Sequence, residues 1–273
     1  MSFKLKLPPF ENVIASSTAV LPRVPRGNMY DAILFALGGG NTQANMAAIR
    51  MIVNGKTIVN ITGTHLDTIN NFDRLQDTAT FLAFWFSDPD ADDQSKAQLG
   101  ALDTSRGVEE FSIECDLGAG VAPTLRADAI VSPPSAKGDL FAGVFKSVLK
   151  SIQAPGAAAQ YTHIVPSGSR AGGLIRRVHF FHANITSLQV KRDGVNLLDD
   201  LPIADINYAN GQRRRTTQAG LVVFDPLSEG HADDMVPTLR RDGTAANFEF
   251  SPTVSAADTV TSYTELLAPL ANI

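Results

Sequence analysis

The chain has 273 residues, a formal net charge of −5 and one cysteine. A nucleic-acid binder that works by phosphate neutralisation, sequence-specific or not, is therefore not expected, and neither a disulfide framework nor a thiolate metal cluster can be assembled. Charged residues are 19% of the chain against 44% apolar, below the usual quarter, which fits a surface partly covered in an assembly.

At the N-terminus, Lys4 and Lys6 alternate with Phe3, Leu5 and Leu7, so one face of the segment is basic and the other apolar. Pro8 and Pro9 stop it from extending as a regular helix or central strand. Residues 1–11 read as an N-terminal arm. A frayed end, or a first strand pairing inside its own sandwich, are the alternatives. No apolar stretch of a signal peptide follows the lysines, and no apolar run approaches the roughly 20 residues of a membrane span.

Residues 12–135 read as a sandwich of short strands. Ile49, Met51 and Val53 alternate with polar or exposed positions, the period of a strand with one buried face. Ile33–Leu37 and Phe81–Phe86 are more continuously apolar and suit strands covered on both faces. Gly38 to Asn41, Asn54-Gly55 and Asp88-Pro89 punctuate them as turns. Cys115, inside the alternating run Phe111–Leu117, reads as a small buried hydrophobe. Asn54 to Thr57 looks like the end of a phosphate-binding loop, but the glycine required five residues before Gly55 is replaced by Arg50, so no nucleotide site is expected. Asp88, Asp90, Asp92 and Asp93 form an acidic cluster with a weak potential for calcium. An EF-hand would need Gly at Asp93 and Glu at Leu99, so a solvated loop is the default for the Asp88–Asp93 segment.

From Asp139 to Ile152 the pattern changes. Leu140, Phe141, Val144, Phe145, Val148, Leu149 and Ile152 fall at steps of three and four, which predicts an amphipathic helix over 139–152 with Asp139 as N-cap and Pro155-Gly156 as its end. Residues 136–164 are read as a linker around this helix.

Residues 165–273 return to strands. Leu174–Phe181 and Leu221–Phe224 are continuously apolar, while Leu188/Val190 and Phe248/Phe250 alternate. Asp193-Gly194, Asp225-Pro226 and Asp242-Gly243 supply turns. His179 and His182, three apart in a strand, point to opposite faces and make a poor chelate. With His65, His163 and His231 they give no His-x-His pair of the kind cupin metal sites use. No catalytic, cofactor-binding or metal-ligating residues are assigned. Arg213, Arg214 and Arg215, the one dense basic run, read as a solvated loop.

The two strand-rich halves match each other. Ile49 aligns with Leu188, Met51 with Val190, Asn54-Gly55 with Asp193-Gly194 and Ile58-Val59 with Leu197-Leu198, all 139 residues apart. Further on, Phe86 aligns with Phe224 at 138 and Phe111 with Phe248 at 137. Asn-Gly and Asp-Gly both supply the positive φ angles of a type I′ hairpin turn, so the same fold is expected twice.

Two like-sized β-sandwiches without an active-site motif resemble the double jelly-roll major capsid proteins of tailless icosahedral viruses, especially those of phages with an internal membrane. The resemblance is carried by the order from Tyr30 to Phe72: strand, loop, strand Ile49–Val53, turn at Asn54-Gly55, strand, and a short helix near Leu66–Asn70. The stretch Leu174–Tyr208 has the same order. The fold class expected is all-β, with two tandem eight-stranded jelly rolls and the amphipathic linker helix. The resemblance implies a homotrimer whose six rolls form a pseudo-hexagonal capsomer of an icosahedral virion. The protein would be made in host cytoplasm and contact neighbouring capsomers and vertex, penton and minor capsid proteins. It also implies that the N-terminus lies under the shell, beside a lipid membrane where there is one. Short interstrand segments lead us to expect a flat-topped capsomer. No enzymatic role is expected. The alternative is a bacterial two-domain cupin-like or carbohydrate-binding jelly-roll protein.

Overall fold

Period-two patterning and paired turns do produce strands, and they occur in two matching sets. A computed structural model of the chain describes residues 2–75, 78–88, 98–119, 122–134, 143–167, 172–226 and 234–272. The first set is β1 (Phe3–Lys6), β2 (Thr18–Leu21), β3 (Met29–Gly38), β4 (Met46–Val53), β5 (Lys56–Ile61), helix α1 (Gly63–Phe72), β6 (Phe81–Trp85), β7 (Leu102–Asp103), β8 (Phe111–Leu117) and β9 (Thr124–Ser132). The second is β10 (Val144–Gln153), β11 (Ala159–Gln160), β12 (Leu174–Phe181), β13 (Ile185–Arg192), β14 (Val195–Pro202), helix α2 (Ile203–Gln212), β15 (Leu221–Phe224), β16 (Val236–Pro237), β17 (Phe248–Val254) and β18 (Val260–Pro269).

Each set pairs in the same order. In the first sandwich β1-β9-β3-β6 form one sheet, with β7 on β3, and β2-β8-β4-β5 line the other face. In the second, β10-β18-β12-β15, with β16 on β12, face β11-β17-β13-β14. Local detail repeats as well. Asn54 and Gly55 have φ of 50° and 76°, and Asp193 and Gly194 have 51° and 81°, so both hairpins turn as the dipeptides require. Asn54 Oδ1 accepts the backbone N–H groups of Glu109 and Glu110 at 2.7 and 3.0 Å, and Asp193 Oδ1 accepts that of Asn247 at 2.9 Å. Buried Asn70 in α1 donates to Ala83 O, and buried Asn210 in α2 donates to Val223 O. Two residues past the end of each helix stands an arginine in the left-handed region, Arg74 and Arg214.

The two sandwiches are joined through a sheet. β10 pairs antiparallel with β18 along ten residue pairs and meets β5 in parallel at Val148–Val59. The sheet β2-β8-β4-β5 therefore continues into β10-β18-β12-β15, a nine-stranded sheet with β16 included. The first hydrophobic core runs with it, since Phe145, Val148 and Tyr263 belong to the cluster that holds Ile33, Phe35, Met51 and Phe84. A second core gathers around Phe180, Leu188, Val190 and Phe250.

Two expectations are corrected. Residues 144–152 are a strand rather than part of a linker helix. β10 is covered on both sides, so Phe145 and Val148 sit in the first core while Leu149 packs on the second. Apolar residues on both faces of a strand fall at mixed spacings that mimic helical steps. The proposed N-cap Asp139 and the start of that helix lie outside the described residues. Likewise, residues 1–11 are not a free arm. β1 pairs with β9 from Phe3–Val131 to Lys6–Asp128, and Leu7 and Phe10 are buried in the first core. The first sandwich thus begins at Phe3 instead of residue 12, and the second at Val144 instead of 165.

Removing residues 2–7 strips β1 from β9 and takes Leu5 and Leu7 out of the first core. The truncated chain should melt at a clearly lower temperature than the full one. Equal melting temperatures by circular dichroism would show β1 to be dispensable to the sandwich.

Candidate functional site: the charged seam between the sandwiches

Where the sandwiches meet, a set of buried charges stands beside the shared apolar core. Phe72 at the end of α1 packs on Leu221 and Val223 of β15. Around this contact stand Lys146 on β10, Arg176 and Arg177 on β12, Arg215 beyond α2, and the carboxylates Asp73, Asp88, Asp225 and Glu265.

Arg177 has no solvent exposure. Its Nη1 donates to both oxygens of Asp73, which caps α1 of the other sandwich, at 2.8 and 2.9 Å. Its Nε lies 3.1 Å from Asp225 Oδ2. Arg215 reaches the same two carboxylates, Nη1 to Asp73 Oδ1 at 2.9 Å and Nε to Asp225 Oδ2 at 3.4 Å. Both guanidinium groups lie about 6 Å from the Phe72 ring centre, within cation–π range. Burial opposes the charge of Arg177, but Asp225 and Asp73 more than offset it and keep the group protonated.

Arg176 sits on the bulge of β12 and donates from Nη2 to Asp88 Oδ2 at 2.8 Å, again across the junction. Its Nε is 3.7 Å from Glu265 Oε2, and His179 Nε2 is 3.3 Å from Glu265 Oε1. Burial pushes the Glu265 carboxyl up, yet Lys146, the His179 hydrogen bond and Arg176 together hold it well below the usual carboxylate range. Lys146 Nζ also stands 5.1 Å from the Phe84 ring centre. The cavity left among these groups is about 20 Å³, roughly the space one water molecule occupies and far below a substrate pocket.

Further along the seam His65 of α1 stacks on Phe181 of β12, ring centres 3.9 Å apart, and its Nδ1 lies 2.8 Å from Tyr263 Oη of β18. Burial and the nearby Lys150 lower its pKa to about 4. The chemistry available here is clamping: fixed opposite charges and stacked rings hold two sandwiches in one register.

The residues singled out in the sequence are distributed differently. Cys115 is buried in β8, and burial raises its thiol pKa, so it packs rather than reacts. His182 Nδ1 accepts from Ile185 N at 3.0 Å, whereas His179 is partnered by Glu265. The Asp88–Asp93 loop lies outside the described residues beyond Asp88, which pairs with Arg176. The Arg213–Arg215 run is more than a solvated loop, because Arg215 is half-buried between Asp73 and Asp225. The seam itself had a signal. Arg176, Arg177 and His179 interrupt the otherwise apolar Leu174–Phe181, and charges inside a doubly covered strand need partners.

Residues 4–132 match the family model of the viral coat protein P2 N-terminal domain, and residues 147–270 that of the P2 C-terminal domain. A search of curated proteins gives no match. Among solved structures, the major capsid protein P2 of bacteriophage PM2 superposes with a TM-score of 0.85 at 18% identity over 100% of both chains. The major capsid protein STIV MCP follows at 0.73 and 12%, covering 99% of this chain and 97% of the other. The PBCV-1 virus capsid follows at 0.62 and 8%, covering 98% and 94%. The double jelly-roll fold is thereby established, and the cupin-like or carbohydrate-binding alternative is not favoured.

Two outcomes test the seam. Asp73→Ala leaves Arg177 buried beside one carboxylate fewer, and should destabilise the chain by about 3–5 kcal/mol in chemical denaturation. In acid, His65 is neutral in the folded chain down to about 4 but protonates near 6.5 when unfolded. Stability should therefore fall as pH drops from 6.5 through 4, and His65→Gln should flatten that part of the melting-temperature profile.

Proposed function

The chain belongs to the viral coat protein P2 family and is a viral major capsid protein, and we propose that three copies assemble into a capsomer with six like sandwiches around a ring. The observation that carries this reading is the strand-for-strand repeat, in which β1 to β9 recur as β10 to β18 with α1 recurring as α2. A trimer of such a chain presents near six-fold contacts from one gene product, so it fits a lattice position with six neighbours. The low charge content agrees, since obligate interfaces are more apolar than free surface.

In this role the protein acts by assembly and carries out no catalytic step. Its partners are copies of itself, adjoining capsomers and the proteins that fill the vertices. With short interstrand segments the capsomer is flat-topped, and host recognition falls to a vertex protein.

Native mass spectrometry of the purified chain checks the stoichiometry. The expected species has three times the 29.1 kDa chain mass. A stable monomer or dimer at micromolar concentration would overturn the trimer.

A further inference from the structure

The internal junction leaves each of its two halves in use once and free once. β5 meets β10, but among the described residues its counterpart β14 is an edge strand, and so is β1, the counterpart of β10. Among those residues the free half is open. Ile61, Leu66, Asn70 and Phe84 of the first sandwich line the small seam cavity together with Lys146 and Val148 of β10. Their counterparts Leu201, Ile206, Asn210 and Phe224 line a groove of about 440 Å³ along β14 and α2; Phe224 matches Phe84, and not Phe86 as the sequence alignment has it, because the pairs Ile33–Phe84 and Val178–Phe224 are equivalent. Burial differs accordingly. Ile58 and Ile61 are fully covered, whereas the matching Leu197 and Leu201 are 41% and 38% exposed, and Tyr208 on α2 is 71% exposed.

Resting on the trimer reading above, we propose that β14 and α2 of one copy receive β1 of the next, in parallel, so that every subunit contact repeats the β5–β10 junction. The register follows from the pairings. Beyond the bulge of β3, Ala32 pairs with Ile130, and beyond that of β12, Arg177 pairs with Glu265. Lys4 faces Ile130 on β1 and Val148 faces Glu265 on β10, so Lys4 corresponds to Val148 and Lys6 to Lys150. In the hairpins Met51 pairs with Val59 and Val190 with Leu198, so Val59 corresponds to Leu198. The Val148–Val59 pair maps onto Lys4 of one copy beside Leu198 of another.

Charge supports this placement. Asp199, Asp200 and Asp205 are exposed on β14 and α2, and Lys4 and Lys6 are exposed on β1. Asp199 and Asp200 accept hydrogen bonds from neutral Asn196 and Ser187, which leaves their charges uncompensated by those partners. Within the chain Lys150 stands near His65. The matching pair across copies is Lys6 and Asp205, now of opposite sign. The same operation brings Phe81, 54% exposed on β6, toward the face that carries Tyr208, because Leu221, its counterpart, packs against α1. The four-stranded and five-stranded sheets of adjoining copies then continue into one another, as the internal nine-stranded sheet does.

The full chain carrying Lys4→Cys with Leu198→Cys should give a covalent trimer on mild oxidation, seen in a non-reducing gel. The paired variant Lys4→Glu/Lys6→Glu should weaken the trimer on the order of tenfold, as should Asp199→Lys/Asp205→Lys, and combining all four should restore it. If the wild type is a trimer, but the Lys4→Cys/Leu198→Cys variant does not cross-link and the charge variants leave the trimer unchanged, the β1–β14 contact is overturned while the trimer stands. A wild-type monomer overturns both. If Lys4→Glu/Lys6→Glu keeps the trimer whole but abolishes binding to vesicles of anionic phospholipid, the lysines serve a lipid surface and the contact is likewise overturned.

Discussion

A guanidinium removed from water as fully as that of Arg177 is tolerated only with carboxylates at fixed distance and angle. Asp73 and Asp225 provide them from different sandwiches, and Asp73 caps α1, so the helix cannot rotate or slide without exposing the pair. The junction of the two rolls is consequently set to within a hydrogen-bond length. The parallel contact of β5 with β10 is limited to Val59 and Val148 and would hold the register poorly alone. Buried charge gives less net stability than apolar packing of the same volume, but it penalises every other arrangement steeply.

The same constraint explains why two sandwiches with the same topology are not interchangeable. α1 buries Leu66, Ile69, Asn70 and Phe72, whereas α2 buries only Ile206 and Asn210. β5 is covered and β14 is exposed along most of its length. Open strand edges with apolar side chains invite pairing with other chains. A soluble monomer would have to blunt such an edge, while a coat protein uses it. The acidic groups beside Leu197 and Leu201 limit that pairing to a partner bearing cations.

Acid weakens the same region through several groups at once. His65 resists protonation where it stacks on Phe181, and Glu265 depends on remaining ionised beside Lys146 and Arg176. Both favour the unfolded chain as protons are added, so the seam loosens in acid.

The sequence alone determined the strand content, the two hairpin turns, the repeat and the family resemblance, because these depend on local rules. Asn54-Gly55 and Asp193-Gly194 select a turn type whatever surrounds them, and alternation of apolar residues marks a buried face without naming its partner. Residues 144–152 escaped that logic. A strand covered on both faces loses its period of two, so only its neighbours β5 and β18 distinguish it from a helix. β1 was obscured for a related reason, since four residues ahead of two prolines carry too little pattern to reveal that β9 pairs with them. The sequence marks one side of the charged seam, where Arg176, Arg177 and His179 interrupt an apolar strand, but the partners of those charges were decided by tertiary structure. Arg177, Asp73 and Asp225 are far apart in the chain, and Arg215 reads as surface until folding brings it beside Phe72; an ion pair is a relation between distant positions, which a linear pattern of residue types does not encode.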